Sequence, residues 1–163
     1  MIIDGKKEAE ILKHEIKKEI ESLKSKNDKV PGLAVILIGD YAPSQIYVKN
    51  KEKSAKEVGI KSSVVRYSKE VTEKEVLKKI EYLNNDTEVS GILVQLPLPP
   101  QINKEKIINA VSPKKDVDGF HPINVGNLSS GYHALVPCTP LGCLYLIKKV
   151  EKNLSGKHAV IIG

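Results

Sequence analysis

Hydrophobic positions along the chain change period several times, and the changes mark out alternating elements. Over residues 6–25, Ala9, Leu12, Ile16, Ile20 and Leu23 recur at three- and four-residue steps, which predicts an amphipathic helix. After the Pro31-Gly32 break, LAVILIG is a short, continuously apolar, β-branched run, the pattern of a strand covered on both faces. A helix over YVKNKEKSAKEVGI follows, closing at Gly59, and IKSSVVRYS is the next strand. Thr72 with Glu75 three residues on has the form of a capping box that starts a helix through Leu83. SGILVQLPLPP reads as a third strand stopped by Pro97, Pro99 and Pro100, and a short helix is expected over Asn103–Ala110. The 29 residues from Ser112 to Pro140 show little periodicity, and loops of that length in a compact domain are usually functional or disordered. Thr139 before Pro140 predicts a capped helix to Val150, and GKHAVIIG a final strand.

Strands alternating with helices predict an α/β fold, a three-layer α/β/α arrangement with a mostly parallel sheet. In such sheets ligands bind beyond the carboxyl ends of the strands. That rule draws attention to GDYAPS, to QLPLPP and to the loop containing DVDGF.

Composition narrows the possibilities. The apolar fraction of 40% and charged fraction of 28% are those of a globular protein. With no signal-peptide core and no apolar run near the ~20 residues of a membrane span, the expected compartment is the cytoplasm, without a membrane partner. Two cysteines, Cys138 and Cys143, make neither a disulfide framework nor a zinc site, so no metal is expected. The net charge of +6 suggests nucleic acid, but Arg66 is the sole arginine among 26 basic residues, and the lysines interleave with glutamates as on solvated helix faces. No nucleic-acid partner is expected.

One lysine departs from that solvated pattern. At about 100° per residue with Tyr47 at zero, Lys51 falls near 40°, among Val48, Ala55 and Val58, whereas Lys49, Lys53 and Lys56 fall on the opposite side. Lys51 either snorkels along the core or is a desolvated amine able to carry protons. Tyr47, one turn earlier, is packing or a platform for a flat ligand. Gln95, the one polar residue in ILVQL, either bonds neighbouring backbone or aims its amide into the crevice. In DVDG, Asp116 and Asp118 make a plain turn, a fragment of a cation loop, or a carboxylate that accepts paired N–H donors from a heterocycle.

Taken together and in order, YVKNK with KEVGI, GILVQLPLP, KDVDGFHPINVGNL, PCTP and VIIG resemble the bifunctional methylenetetrahydrofolate dehydrogenase/methenyltetrahydrofolate cyclohydrolase family over essentially the whole chain. GDYAPSQIYV departs from the family's usual order of Ala and Pro, while Ser44 keeps its spacing to Tyr47. The resemblance implies a folate substrate in a cleft, with Tyr47 stacking on it and Lys51 central to the cyclohydrolase step. Gln95 would hold Lys51 and the substrate, Asp118 would bind the pterin edge, and Val94, Leu96 and Pro97 would line the pocket beside Ser44 and Gly119. It further implies NADP as cofactor, a homodimer in the full-length protein, and a folate-binding catalytic domain over 1–138. A linking helix and connector over 139–155 would lead to the first strand of a truncated Rossmann domain over 156–163, with Gly163 opening the dinucleotide loop. On that reading the chain alone lacks dehydrogenase activity and retains at most weak cyclohydrolase activity. The rival readings are the substrate domain of a shikimate-type dehydrogenase and a basic nucleic-acid-binding module.

Overall fold

The strand β1 (Gly32–Ile38) is the axis of the molecule in the computed structural model, which describes residues 2–26 and 29–162. It is flanked by two parallel partners, β2 (Lys61–Tyr67) and β3 (Gly91–Val94), in the order β2-β1-β3. Gly32 pairs with Lys61 and Ile38 with Tyr67 on one side; Leu33 pairs with Gly91 and Ile36 with Val94 on the other. Right-handed crossovers that step in opposite directions across β1 place their helices on opposite faces of the sheet. Thus α2 (Ala42–Val58), between β1 and β2, covers one face, and α3 (Glu73–Asn85), between β2 and β3, covers the other.

Alternation along β1 divides the core accordingly. Ala34, Ile36 and Ile38 point to α3 and to α4 (Lys104–Ala110), packing with Val76, Ile80, Ile92 and Ile107. Val35 and Leu37 point the other way, towards Val48 of α2 and Leu93 of β3. Because both faces are covered, β1 needs apolar residues at every position, which is why LAVILIG shows no alternation. The helix α1 (Gly5–Ser25), capped by Asp4, packs outside α2, with Ile20 buried against Gly59 and Lys13 paired with Glu57 at 3.0 Å.

Several element limits differ from the expectations. The helix α2 starts at Ala42, ahead of Tyr47, because Pro43 is acceptable in a first turn whose N–H groups have no intrahelical partner. Gly59 closes it as expected, in the left-handed conformation at φ 89°. The expected capping box is present on α3. Inside the aperiodic segment lies α5 (Pro122–Ser129), whose side chains at Ile123, Val125 and Leu128 are exposed. No inward apolar stripe announces it. The helix α6 begins at Cys138 behind Pro137, not at Pro140 behind Thr139; Pro140 then sits within the first turn, where its missing N–H costs nothing. The strand expected over GKHAVIIG is not formed by residues 156–162. An apolar run becomes a strand only where a neighbour supplies the ladder, and Val160, Ile161 and Ile162 are 74%, 95% and 94% exposed. Gly163, expected to open a dinucleotide loop, lies outside the described residues.

Candidate functional site

The alternation that builds the core on β3 continues past its end. Leu93 faces α2, Val94 faces α4, and Gln95 faces α2 again, at a position where the pattern calls for an apolar side chain. Its backbone N–H still donates to Ile36 O at 2.9 Å, so the residue is held as firmly as one in the strand. Its side chain meets Lys51, whose Nζ donates to Gln95 Oε1 at 3.0 Å. A lysine ammonium or amine N–H must meet the amide oxygen, which turns Nε2 towards Leu96 O at 2.9 Å. That same carbonyl accepts from Ser44 Oγ at 3.2 Å, and Ser44 is buried in the first turn of α2. The start of α2, its third turn and the end of β3 are thereby locked together, just before the cis Leu96-Pro97 bond.

The lysines of α2 separate as the 100° geometry requires. Lys51 is half-buried and faces Gln95, whereas Lys49, Lys53 and Lys56 are exposed. Lys56 pairs with Glu52 at 2.8 Å and Lys53 with Glu57 at 3.7 Å, both one turn apart on the solvated face. Snorkelling into water does not describe Lys51, because its nitrogen is taken up by Gln95, the residue just past the end of β3. Tyr47 is 60% exposed, so its ring is not core packing; it stands one turn from Lys51 on α2.

Asp118 approaches from the far side of β3. Its carboxyl is pushed above the ordinary carboxylate range, first by burial; the Lys51 charge pulls it back and the Asp116 charge adds to the rise. Among the described residues no side chain hydrogen-bonds this carboxylate. The turn that carries it is tightly enclosed. Gly119 has φ +67°, and a Cβ there would lie 2.6 Å from Leu135 O and 2.9 Å from Pro137 N. Gly91 serves the opposite side, since a Cβ there would collide with Val117 Cγ1. A narrow cavity reaches from Asp118 between β3 and α4, bounded by Val94, Leu96, Ile108 and Phe120. Pro97, the residue after Leu96, is exposed. A shallower hollow on the outer side of α3, between Lys78, Tyr82 and Asn85, touches none of these groups.

The arrangement thus joins Ser44, Lys51 and Gln95 through hydrogen bonds at Leu96 O and Lys51 Nζ, with Asp118 within reach of the Lys51 charge and beside Val94 and Leu96 in the cavity; Gly119 follows in the same turn, Tyr47 lies one helical turn from Lys51, and Pro97 is exposed next to Leu96. Sequence reasoning gave His121 and Asn124 no role and left Asp116 as one of two aspartates in a turn, although all three are buried. The signal available was their polarity within a segment that has no apolar period.

A dinucleotide phosphate takes the free N–H groups of a helix start beside a glycine turn. Four helix starts here are closed by their own side chains, from Asp4, Thr72, Asn103 and His121. Of the other two, α2 opens behind Asp40, whose charge opposes a phosphate, and α6 behind Pro137. The described residues therefore do not fit that cofactor, and no hydride step is assigned to them.

Comparison with known proteins places these features in a family. The model of the tetrahydrofolate dehydrogenase/cyclohydrolase catalytic domain matches residues 3–118. The chain is 63% identical, over all 163 residues, to the bifunctional protein FolD of Pelagibacter ubique, of which it covers 58%. It superposes on the crystal structure of the bifunctional FolD methylenetetrahydrofolate dehydrogenase/cyclohydrolase from Campylobacter jejuni with a TM-score of 0.95 at 49% identity, covering 100% of this chain and 58% of that one. The Trypanosoma brucei methylenetetrahydrofolate dehydrogenase-cyclohydrolase, solved with NADP and an inhibitor, matches with a TM-score of 0.91 at 32% identity over 96% of this chain and 54% of its own. The chain spans less than two thirds of the length of these relatives.

Proposed function

This chain belongs to the tetrahydrofolate dehydrogenase/cyclohydrolase family, and from that premise we propose that its cleft is a folate site at which Lys51 carries out the cyclohydrolase step. The observation that carries the reading is the 3.0 Å hydrogen bond from Lys51 Nζ to Gln95 Oε1, with the Asp118 carboxyl close enough for the lysine charge to act on it.

The substrate is 5,10-methenyltetrahydrofolate, a cation whose positive carbon bridges two ring nitrogens. Tyr47 offers an exposed ring for the flat pterin to stack on. Asp118, free of protein partners among the described residues, accepts paired N–H donors from the pterin edge. Water then adds to the bridging carbon: an O–C bond forms, and the water gives up a proton to Lys51 Nζ, which must be the free amine at this step. The carbon–nitrogen bond at N5 breaks, N5 takes a proton, and the hydroxyl proton leaves as the carbonyl of 10-formyltetrahydrofolate forms. The sum is one water consumed and one proton released, and Lys51 is the group placed to shuttle it. Gln95 holds one Nζ hydrogen and so fixes the direction in which the nitrogen faces the carbon. In the whole protein we infer that a nicotinamide nucleotide accepts the preceding hydride, as the name of the Trypanosoma brucei relative indicates for that enzyme.

The test is a pair of substitutions on one helix. Lys51→Met, close in length but unable to carry a proton, should lower methenyltetrahydrofolate hydrolysis by about 10²- to 10⁴-fold. Lys49→Met, on the solvated face, should leave it unchanged. Equal turnover in the Lys51→Met and unsubstituted chains would defeat the assignment.

A further inference from the structure

We propose that Asp116 is a positioning residue, whose buried carboxylate ties the turn at 116–121 to the start of α5 and thereby aims Asp118 at the Lys51–Gln95 pair. The inference rests on the reading of Asp118 as a group that touches folate.

Among the described residues the buried polar or charged side chains are Ser44, Asp116, His121 and Asn124. One oxygen of Asp116 takes the Asn124 side chain and the His121 backbone together. Asp116 Oδ2 accepts the His121 backbone N–H at 2.8 Å and Asn124 Nδ2 at 3.0 Å. Asn124 Nδ2 also donates to Pro113 O at 2.9 Å, and His121 Nδ1 accepts the Ile123 N–H at 3.1 Å. Burying a carboxylate is costly unless it is hydrogen-bonded, and one oxygen with two donors is a strong, directional tie.

The backbone on the other side of Asp116 is equally fixed. Asp116 forms a parallel bridge with Ile92, and Ile92 N–H donates to Lys115 O at 2.7 Å. Lys115 Nζ donates to Leu83 O at 3.0 Å and Asp86 O at 2.8 Å, at the end of α3. Asp116 O accepts the Gly119 N–H at 3.2 Å, closing the turn. Asp118 lies within this turn with no side-chain hydrogen bond among the described residues, so its direction is set by the two ends that Asp116 joins. A carboxylate on an untethered loop would face solvent in many directions; held here, it faces one.

Hydrogen exchange at the His121 amide and equilibrium affinity for 10-formyltetrahydrofolate test this in the chain and its variants. Asp116→Ala should expose the His121 amide to exchange and weaken binding by about tenfold or more. Asn124→Ala, which removes one of the two donors, should fall between. Asp116→Asn keeps an acceptor oxygen and should restore binding to within about threefold. The same variant removes the like charge beside Asp118, so Asp118, facing Lys51 from α2, should titrate at lower pH than in the unsubstituted chain. Unchanged affinity with a protected His121 amide in Asp116→Ala, or an Asn variant no better than the Ala variant, would overturn the proposal. Should Asp116→Ala not fold, Asn124→Ala decides, and unaltered affinity there overturns it. Asp118→Ala separates the two readings: if it binds as tightly as the unsubstituted chain, the folate site itself is wrong. If Asp118→Ala weakens binding and Asp116→Ala does not, only the positioning role fails.

Discussion

The two faces of the sheet use one strand in different ways. On the α3–α4 face, β1 supplies Ala34, Ile36 and Ile38 to a cluster of twelve buried hydrophobic residues among those described. On the α2 face it supplies Val35 and Leu37 to a cluster of four. The shortfall is not empty surface. Where the second face would continue its apolar rows, α2 presents Lys51 and the chain beyond β3 presents Gln95, joined to each other. One face holds the fold together, and the other gives up core positions to polar groups. Replacements on the first face should therefore act on stability, and replacements on the second on ligand and turnover.

The largest effect on stability is expected at Ile80, which is completely buried in the larger cluster. Ile80→Ala should cost about 2–5 kcal/mol, read from urea unfolding, with folate affinity retained well below the transition. Lys51→Met, across the sheet, should shift the unfolding midpoint little while removing turnover. A loss of stability at Lys51 as large as that at Ile80 would break the distinction. A smaller effect follows at the start of α3. Glu75 N–H donates to Thr72 Oγ1 at 3.3 Å and Thr72 N–H to Glu75 Oε2 at 3.0 Å, so both members of the box are engaged. Thr72→Ala should cost about 1 kcal/mol, again without change in binding.

The stabilising face was the more legible of the two in the sequence. Its apolar rows, the capping box at Thr72 and the β-branched run of β1 are local patterns, and the structure agrees with each. On the other face, Lys51 stood out because a helical period places it among Val48, Ala55 and Val58, and Gln95 because it interrupts ILVQL. Asp118 could not be told from Asp116 on local grounds. Their difference lies in partners five to eight residues on, at His121 and Asn124, and in a lysine from another element. The helix α5 escaped notice for a related reason: its one buried side chain is the polar Asn124. GKHAVIIG misled in the opposite direction, since β propensity describes a surface that fits a sheet and does not supply the neighbouring strand.

The smallest expected effect has the opposite sign and tests the comparison most sharply. Burial lifts the Asp118 carboxyl above its ordinary range more than Lys51 lowers it. Between the ordinary carboxylate value, about 4, and the raised one, the folded chain binds more protons than the unfolded chain, so this group's contribution to stability falls as pH rises through that window. Above the window Asp118 is ionised and its whole desolvation cost is present. Asp118→Asn cannot ionise, so it should match or slightly exceed the unsubstituted chain in melting temperature at neutral pH, while losing folate affinity. Exposed carboxylates such as Glu57 and Glu88, held low by lysines, lose their stabilising contribution as pH falls, but they are the same in both proteins. The difference between the two melting curves across about pH 3–8 therefore reports Asp118 together with its coupling to Lys51 and Asp116, and it should close as pH falls through the raised value. An Asn variant that is less stable at neutral pH would mean that attraction to Lys51 outweighs burial at Asp118. The polar face would then be contributing to the fold in the same way as the apolar one.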